Sequence, residues 1–281
     1  MTTDTLTTNI VVASDKNYLN YLDIVLKSLL AHHQSFNVFI LNTGDISPEW
    51  MEERQQFFAQ RQSSLYSAYI NQNELQRYRQ SDYITQATYL RYYIAELFAC
   101  SQSNRWLYLD CDIVINGDIF RPFEDKRFSQ FSLGAVQDPF VSNLAQHRFR
   151  QGDYFNAGVL YINADRWAGT TEQLIHLTEK LQETLVYGDQ DVLNVYFHEQ
   201  WFAIDWRYNC QPEHFLSGSV NAENTSPDLI HFVGSVKPLA KSQFVCSVQK
   251  AVDLFKFYDK ITYQTILENP IGFFKFILRS K

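Results

Sequence analysis

The stretch RWLYLDCDIVINGDI, residues 105–119, decides how the rest of the chain is read. Trp106-Leu107-Tyr108-Leu109 is an apolar run of strand length, and it runs straight into Asp110-Cys111-Asp112. Ligands in open α/β sheets bind outside the carboxyl ends of strands. Two carboxylates two residues apart at such an end can converge on one hard divalent cation, Mg²⁺ or Mn²⁺. A D-x-D alone is a weak signal, and a second one occurs at Asp189-Gln190-Asp191. A solvated turn competes with a metal site at 110–112, and the strand ahead of it favours the metal.

Outward from this point the pattern is strand, helix, strand, helix. Residues 10–13 are a β-branched run of the kind buried in a parallel sheet. Residues 18–33 carry Leu22, Val25, Leu26 and Leu29 at helical spacing. Residues 38–41 read as a second strand, and Ser47-Pro48 starts a helix with Ser as N-cap and Pro at the first helical position. The same reading puts strands at 65–70, 114–115, 133–136 and 158–162, with short ones at 202–204 and 229–232. It puts helices at 88–98, 170–185 and 191–197. The expected class is α/β with a mainly parallel central sheet. Two segments are expected, 1–245 as the main domain and 246–281 as an aromatic, basic C-terminal extension with a short amphipathic helical segment.

Composition narrows the function. The chain has 281 residues, 46% hydrophobic and 20% charged, the balance of an ordinary globular protein. Its formal net charge of −7 argues against a general nucleic-acid binder, which needs clustered cations. The four cysteines, Cys100, Cys111, Cys210 and Cys246, show no C-x-x-C spacing and fit free thiols in a reducing compartment. Residues 1–9 lack the features of a secretory signal, so the expected location is cytoplasmic. Residues 270–281 combine Phe273, Phe274 and Phe276 with Lys275, Arg279 and Lys281 and no acid. That is the composition of a peripheral contact with the inner face of the cytoplasmic membrane. Phenylalanines folded back onto the core are the alternative.

Three further clusters stand out. Tyr154-Phe155-Asn156-Ala157-Gly158 precedes a strand, and its small residues let a ligand approach the backbone. Gly188-Asp189-Gln190-Asp191 sits before a helix, where an acidic N-cap is the competing reading. His231-Phe232-Val233-Gly234-Ser235-Val236-Lys237-Pro238 offers a metal ligand, a turn and a cation for phosphate. A structural histidine and a solvated lysine compete with those roles.

Taken together, IVVASDKNY, TYLRYYIAELF, RWLYLDCDIVINGDI, FNAGVLYIN, YGDQDVLN and HFVGSVKP resemble glycosyltransferase family 8, in family order from Asn9 to Pro238. The resemblance is to its bacterial lipopolysaccharide galactosyl- and glucosyltransferases, including the lipooligosaccharide α-1,4-galactosyltransferase type. It implies a GT-A fold, with residues 1–245 as the catalytic domain. It also implies a UDP-galactose or UDP-glucose donor, Mn²⁺ or Mg²⁺, retention of anomeric configuration, and an oligosaccharide or lipid-linked acceptor.

By the same resemblance, Asp110, Asp112 and His231 are the metal ligands, and Cys111 lies between two of them. Ala13, Asp15, Asn17 and Tyr18 hold uracil and ribose, and Arg91 faces the donor sugar. Asp138, Asn156 and Ala157 read the sugar, with Asp189 and Gln190 as the catalytic pair. Gly234 and Lys237 contact the diphosphate. Leu239 stands where close relatives often carry Trp after the Lys-Pro. A protein-linked glycan is an alternative acceptor. From other classes, a sugar-nucleotide nucleotidyltransferase lacks its usual Gly-rich loop at 13–17, and a non-catalytic sugar-nucleotide binder would not need Asp110, Asp112, Gln190 and His231 intact.

Overall fold

The computed structural model describes residues 7–71, 89–142, 153–167, 169–217, 226–234, 237–239 and 246–276. Seven strands form the main sheet in the order β3-β2-β1-β4-β7-β6-β8. They are β1 (Thr8–Ala13), β2 (Phe36–Asn42), β3 (Ser64–Tyr69), β4 (Arg105–Leu109), β6 (Leu133–Gln137), β7 (Phe155–Asn163) and β8 (Trp201–Ala203). Strands β1 to β4 are parallel, β7 runs antiparallel to both β4 and β6, and β8 is parallel to β6. β5 (Ile113–Ile115) and β9 (Leu229–His231) form a separate antiparallel ladder. The expected α/β class with a mostly parallel sheet is present, the arrangement that a GT-A fold calls for.

The apolar runs are continuous because both sheet faces are covered. Successive side chains alternate between two cores. Ile10, Val12, Val38, Ile40, Leu107 and Leu109 enter one, while Val11, Phe39, Leu41, Trp106 and Tyr108 enter the other. The first face is covered by helices α1 (Leu19–His32) and α5 (Cys246–Lys260), and α2 (Pro48–Ala59) also contributes to its core. The second carries a 3-10 helix (Leu90–Cys100) with α3 (Thr170–Leu181) and α4 (Asp189–Tyr196). Ser47 caps α2 as its sequence position requires, accepting from the Trp50 N–H at 3.2 Å.

Several boundaries differ from the sequence reading. Residues 90–100 form a 3-10 rather than an α-helix. Leu90, Arg91, Tyr92, Tyr93 and Ile94 are all buried, so no single α-helical stripe separates a wet from a dry face. A 3-10 winding aligns the i, i+3 pairs Leu90–Tyr93 and Ile94–Leu97 instead. Thr88 lies outside the described residues. β7 begins at Phe155, so Asn156 and Ala157 are strand residues and not a loop ahead of one. α4 begins at Asp189, directly after Gly188 (φ +57°, ψ −126°), a backbone state open to glycine.

The C-terminal segment packs onto the core. Ala251, Val252, Phe255 and Tyr258 of α5 are fully buried beside α1, and α6 (Tyr263–Leu267) follows. Phe274 and Phe276 fold back against Phe257. Asn116 holds Phe276 through both of its backbone groups, at 2.8 and 3.0 Å. Phe273, 62% exposed, and Ile271 face outward. Arg279 and Lys281 fall outside the described residues. Among the described residues, no helix is long and apolar enough to cross a membrane.

Two adjacent histidines sit inside the first core. His32 Nε2 meets the Tyr258 hydroxyl at 3.2 Å, and His33 Nε2 accepts from the Ile119 N–H at 3.4 Å. Burial holds the His32 imidazole down at about 3 and that of His33 at about 4. Both are therefore neutral in the folded state, while the unfolded chain takes up protons below about pH 6.5. Stability is fully present above that value and falls as pH drops from 6.5 towards 4, by roughly 1 kcal/mol or more per pH unit for each histidine. Urea titrations at pH 7.5 and pH 5 check this, with the midpoint expected clearly lower at pH 5. Equal midpoints would show that the histidines are charged in the core.

Candidate active site

The site forms where the sheet changes direction of winding, between β1 and β4. β4 delivers Asp110 just past its carboxyl end. Because β7 is antiparallel, its first residues, Asn156 to Gly158, arrive at the same end, and the Asp110 N–H donates to the Gly158 carbonyl at 2.8 Å. Pairing of β5 with β9 sets His231 opposite Ile113, and the Phe232 N–H donates to the Asp112 carbonyl at 2.9 Å. Three ligand atoms, one each from Asp110, Asp112 and His231, thus lie within 4.8 Å of one another. His231 Nε2 is 3.3 Å from Asp112 Oδ1 and 3.8 Å from Asp110 Oδ2.

This donor set fits a divalent cation, and Gly158 preserves its space. A methyl group there would lie 2.1 Å from His231 Cε1 and 2.7 Å from Asp110 Oδ2. The small residue therefore makes room for the ligands themselves, where the sequence reading expected an approaching substrate. When bound, a cation here supplies Lewis-acid stabilisation of negative oxygens. Asp112 also pairs with Lys237, whose Nζ donates to the Phe232 carbonyl at 3.0 Å. Burial works to raise the Asp112 carboxyl, yet His231 and Lys237 hold it well below the usual range. Gly234 sits in the same turn at φ +84°.

Arg91 organises the opposite wall. It is 6% exposed, and its guanidinium lies 3.1 Å from Asp110 Oδ1 and 2.8 Å from Asp189 Oδ2. The second contact is an ion pair outside hydrogen-bond alignment. Arg91 also donates to the Ala157 carbonyl and stacks 4.7 Å above the Tyr108 ring. Burial pushes the Asp189 carboxyl up, against the pull of Arg91 and with the push of Asp110, to about 7.

Asp191, the other carboxylate of that motif, turns away. It accepts from the Val186 and Tyr187 N–H groups at 2.8 and 2.9 Å and from the Tyr154 hydroxyl at 2.8 Å. The second D-x-D is therefore one site residue and one loop staple. Neither carboxylate is the helix N-cap, since Gly188 takes that position.

Gln190, Asn156 and Asp138 form a network next to this wall. Gln190 Oε1 accepts from the Ala157 N–H at 2.9 Å, and Gln190 Nε2 donates to Asp138 Oδ2 at 3.2 Å. Asn156 Nδ2 lies 3.3 Å from both Asp138 Oδ2 and Gln190 Oε1.

On the other side, the buried Cys111 thiol donates to the Ala13 carbonyl at 3.1 Å, which ties the first loop to the D-x-D. Burial pushes that thiol well above its ordinary value, so it stays protonated. Asp15 Oδ1 accepts from the Asn17 and Tyr18 N–H groups at 2.8 and 3.2 Å and shapes the turn that leaves the Tyr18 ring partly exposed. Leu239 packs against the first core.

The structure thus brings every residue anticipated from the sequence to one end of the sheet. It adds two that the sequence reading missed. Tyr108 donates to Asp110 Oδ1 at 2.7 Å and underlies Arg91. Its position two residues before Asp110 on a strand, hence on the same face, was the available signal. Asn209, fully buried, contacts both His231 and Asn156. No spacing in the sequence points to it.

A model of glycosyl transferase family 8 matches residues 9–241, and the chain belongs to that family. Glycosyltransferase GlyF of Streptococcus pneumoniae is 30% identical over 82% of this chain and 56% of its own length. The lipopolysaccharide 1,2-glucosyltransferase of Escherichia coli is 26% identical over 86% of this chain and 75% of that protein. The chain spans about half the length of GlyF and about a third of another pneumococcal relative, GlyD. Among solved structures, the galactosyltransferase LgtC, in complex with donor and acceptor sugar analogues, superposes with a TM-score of 0.77. It is 23% identical and covers 90% of this chain and 95% of that one.

Proposed function

We propose that this chain transfers a hexose from UDP-galactose or UDP-glucose to a glycan acceptor with retention of configuration, and that Mn²⁺, or Mg²⁺ in its place, is held by Asp110, Asp112 and His231. The cluster of two carboxylates and one imidazole at the sheet switch point carries this reading. The first loop, with Ala13, Asp15, Asn17 and Tyr18, offers a stacking ring and polar groups for uracil and ribose. Lys237 and the Gly234 turn are suited to the diphosphate, and Lys237 exchanges Asp112 for a phosphate oxygen as the donor enters.

The leaving group is a diphosphate, so charge develops on its oxygens as the bond to sugar C1 lengthens, and Lys237 neutralises part of it. Asp189 and Arg91 face the sugar side, with Asp138 and Asn156 reading its hydroxyls. Gln190 is a neutral amide whose Oε1 accepts from the Ala157 N–H, and the enclosed Asp189 carboxyl is pushed up to about 7 beside Arg91. Neither is a strong nucleophile, which supports attack by the acceptor on the same face as the departing diphosphate. In that course the phosphate oxygen takes the acceptor proton.

The acceptor by this reading is a cell-envelope lipopolysaccharide or lipooligosaccharide, and the protein works in the cytoplasm. UDP release from a panel of UDP-sugars, with and without Mn²⁺, tests the activity; no hydrolysis or transfer from any UDP-hexose would remove it. Mass analysis of products on lipid-linked and free oligosaccharides then identifies the acceptor.

Exposed Ile271 and Phe273 beside Lys275 support a peripheral membrane contact. Removing residues 270–281 would also strip Asn116 of its Phe276 partner, so a point change is the cleaner test. Phe273→Ser is expected to reduce co-sedimentation with anionic vesicles at low salt severalfold. Equal sedimentation of both proteins, or none by the wild type, would remove the contact.

A further inference from the structure

We infer that Asn209 is a positioning residue. It sets the tautomer of His231 and links the metal ligands to the Asn156–Gln190 amide pair. The inference rests on the reading of Asp110, Asp112 and His231 as cation ligands.

Backbone N–H groups can only donate, and that decides each amide orientation in turn. The Gly158 N–H meets Asn156 Oδ1 at 3.0 Å, so the oxygen of Asn156 faces it and its nitrogen faces Asp138 and Gln190. The same Asn156 oxygen is 2.9 Å from Asn209 Nδ2 and accepts from it. Asn209 must then present Oδ1 to the other side, where it lies 3.0 Å from His231 Nδ1. An amide oxygen only accepts, so His231 Nδ1 carries the proton. Nε2, the nitrogen that faces Asp112 and Asp110, is then the one left to offer its lone pair to a cation. The chain from the Gly158 N–H through Asn156 and Asn209 to His231 has no alternative polarity.

The fold holds this relay rigidly. Asn209 is 0% exposed and ends the turn Trp206–Tyr208, which Asp205 caps by accepting from the Arg207 N–H at 3.0 Å. The next residue, Cys210, is stitched into β9: its N–H donates to the Leu229 carbonyl and its carbonyl accepts from the His231 N–H, both at 2.9 Å. Hydrogen bonds thus fix the backbone on both sides of the amide. Groups in this outer position are typically worth about 10- to 100-fold in metal affinity. The relay also touches the network that reads the sugar, so Asn209 bears on turnover as well as on metal binding.

Two variants separate these roles from simple packing. Asn209→Ala removes both the acceptor for His231 and the donor to Asn156. Asn209→Asp keeps the acceptor and loses the donor. In full-length protein without metal, at a pH where the same nitrogen-15 spectra of labelled histidine show His231 neutral, the Nδ1–H form is expected in the wild type and in Asn209→Asp, and a mixed or Nε2–H form in Asn209→Ala. Titration with Mn²⁺ alone, followed by electron paramagnetic resonance, is expected to show about 10- to 100-fold weaker binding for Asn209→Ala. Asn209→Asp should bind within about threefold of wild type, yet lose kcat through the freed Asn156 amide. An Nε2–H wild type, or Ala and Asp variants alike in both tautomer and Mn²⁺ affinity, would overturn the inference. Failure of the wild type to bind Mn²⁺ would overturn the metal reading, while the tautomer spectra still decide the role of Asn209.

Discussion

Asp112→Asn is expected to lower sugar transfer by about a thousandfold or more, because Lewis-acid stabilisation is worth several kcal/mol and each 1.4 kcal/mol is a factor of ten. Of the three proposed ligands, Asp112 has the most demands on it. It lies between His231 Nε2 and Lys237, and it is buried. The amide keeps the shape and loses the anion, so the cluster offers the cation one charge less. Lys237 keeps the Phe232 carbonyl as a partner, so the fold loses little. Mn²⁺ binding and UDP release measured on the same preparation check this result. Transfer within tenfold of wild type at saturating Mn²⁺ would show that Asp112 is not a ligand.

Arg91→Met is expected to cost both stability and activity. One guanidinium serves Asp110, Asp189 and the Ala157 carbonyl, and Asp189 is almost completely enclosed. Above pH 7, where the Asp189 carboxyl is ionised in the wild type, removing the cation leaves it buried with no partner charge, a change that typically costs about 3–5 kcal/mol. For a domain of this size that corresponds to a drop in Tm on the order of 10 °C. Lysine does not substitute, because a point charge cannot reach three acceptors in a planar fork. Adding Asp189→Asn to Arg91→Met removes the stranded charge. The double variant is expected to regain much of the lost Tm and none of the lost transfer. An unchanged Tm in the single variant would show that Arg91 does not neutralise that wall.

The sheet and most of its helices were legible because buried parallel strands and amphipathic helices leave periodic apolar patterns. The runs at 10–13, 38–41 and 106–109 fall inside β1, β2 and β4. Strand direction leaves no such pattern. β7 reads as apolar whichever way it runs, and only its antiparallel pairing with β4 carries Asn156 and Ala157 to the end of the sheet that holds Asp110. The two D-x-D motifs look alike in sequence. Asp191 became a staple because the Val186 and Tyr187 N–H groups and the Tyr154 hydroxyl happen to surround it.

The tail shows the same division. Three phenylalanines and three cations mark residues 270–281 as unusual, but composition cannot say which rings find a cavity. Phe274 and Phe276 meet Phe257, and Phe273 does not. By itself, then, the sequence determined the α/β class, the family and the types of residue that meet at the sheet end, since these depend on residue identity and local spacing. Tertiary structure alone decided the Arg91 bridge, the space kept by Gly158 and the Asn209 relay. Those depend on hydrogen-bond polarity and distance between residues up to 98 positions apart, and no local pattern records such contacts.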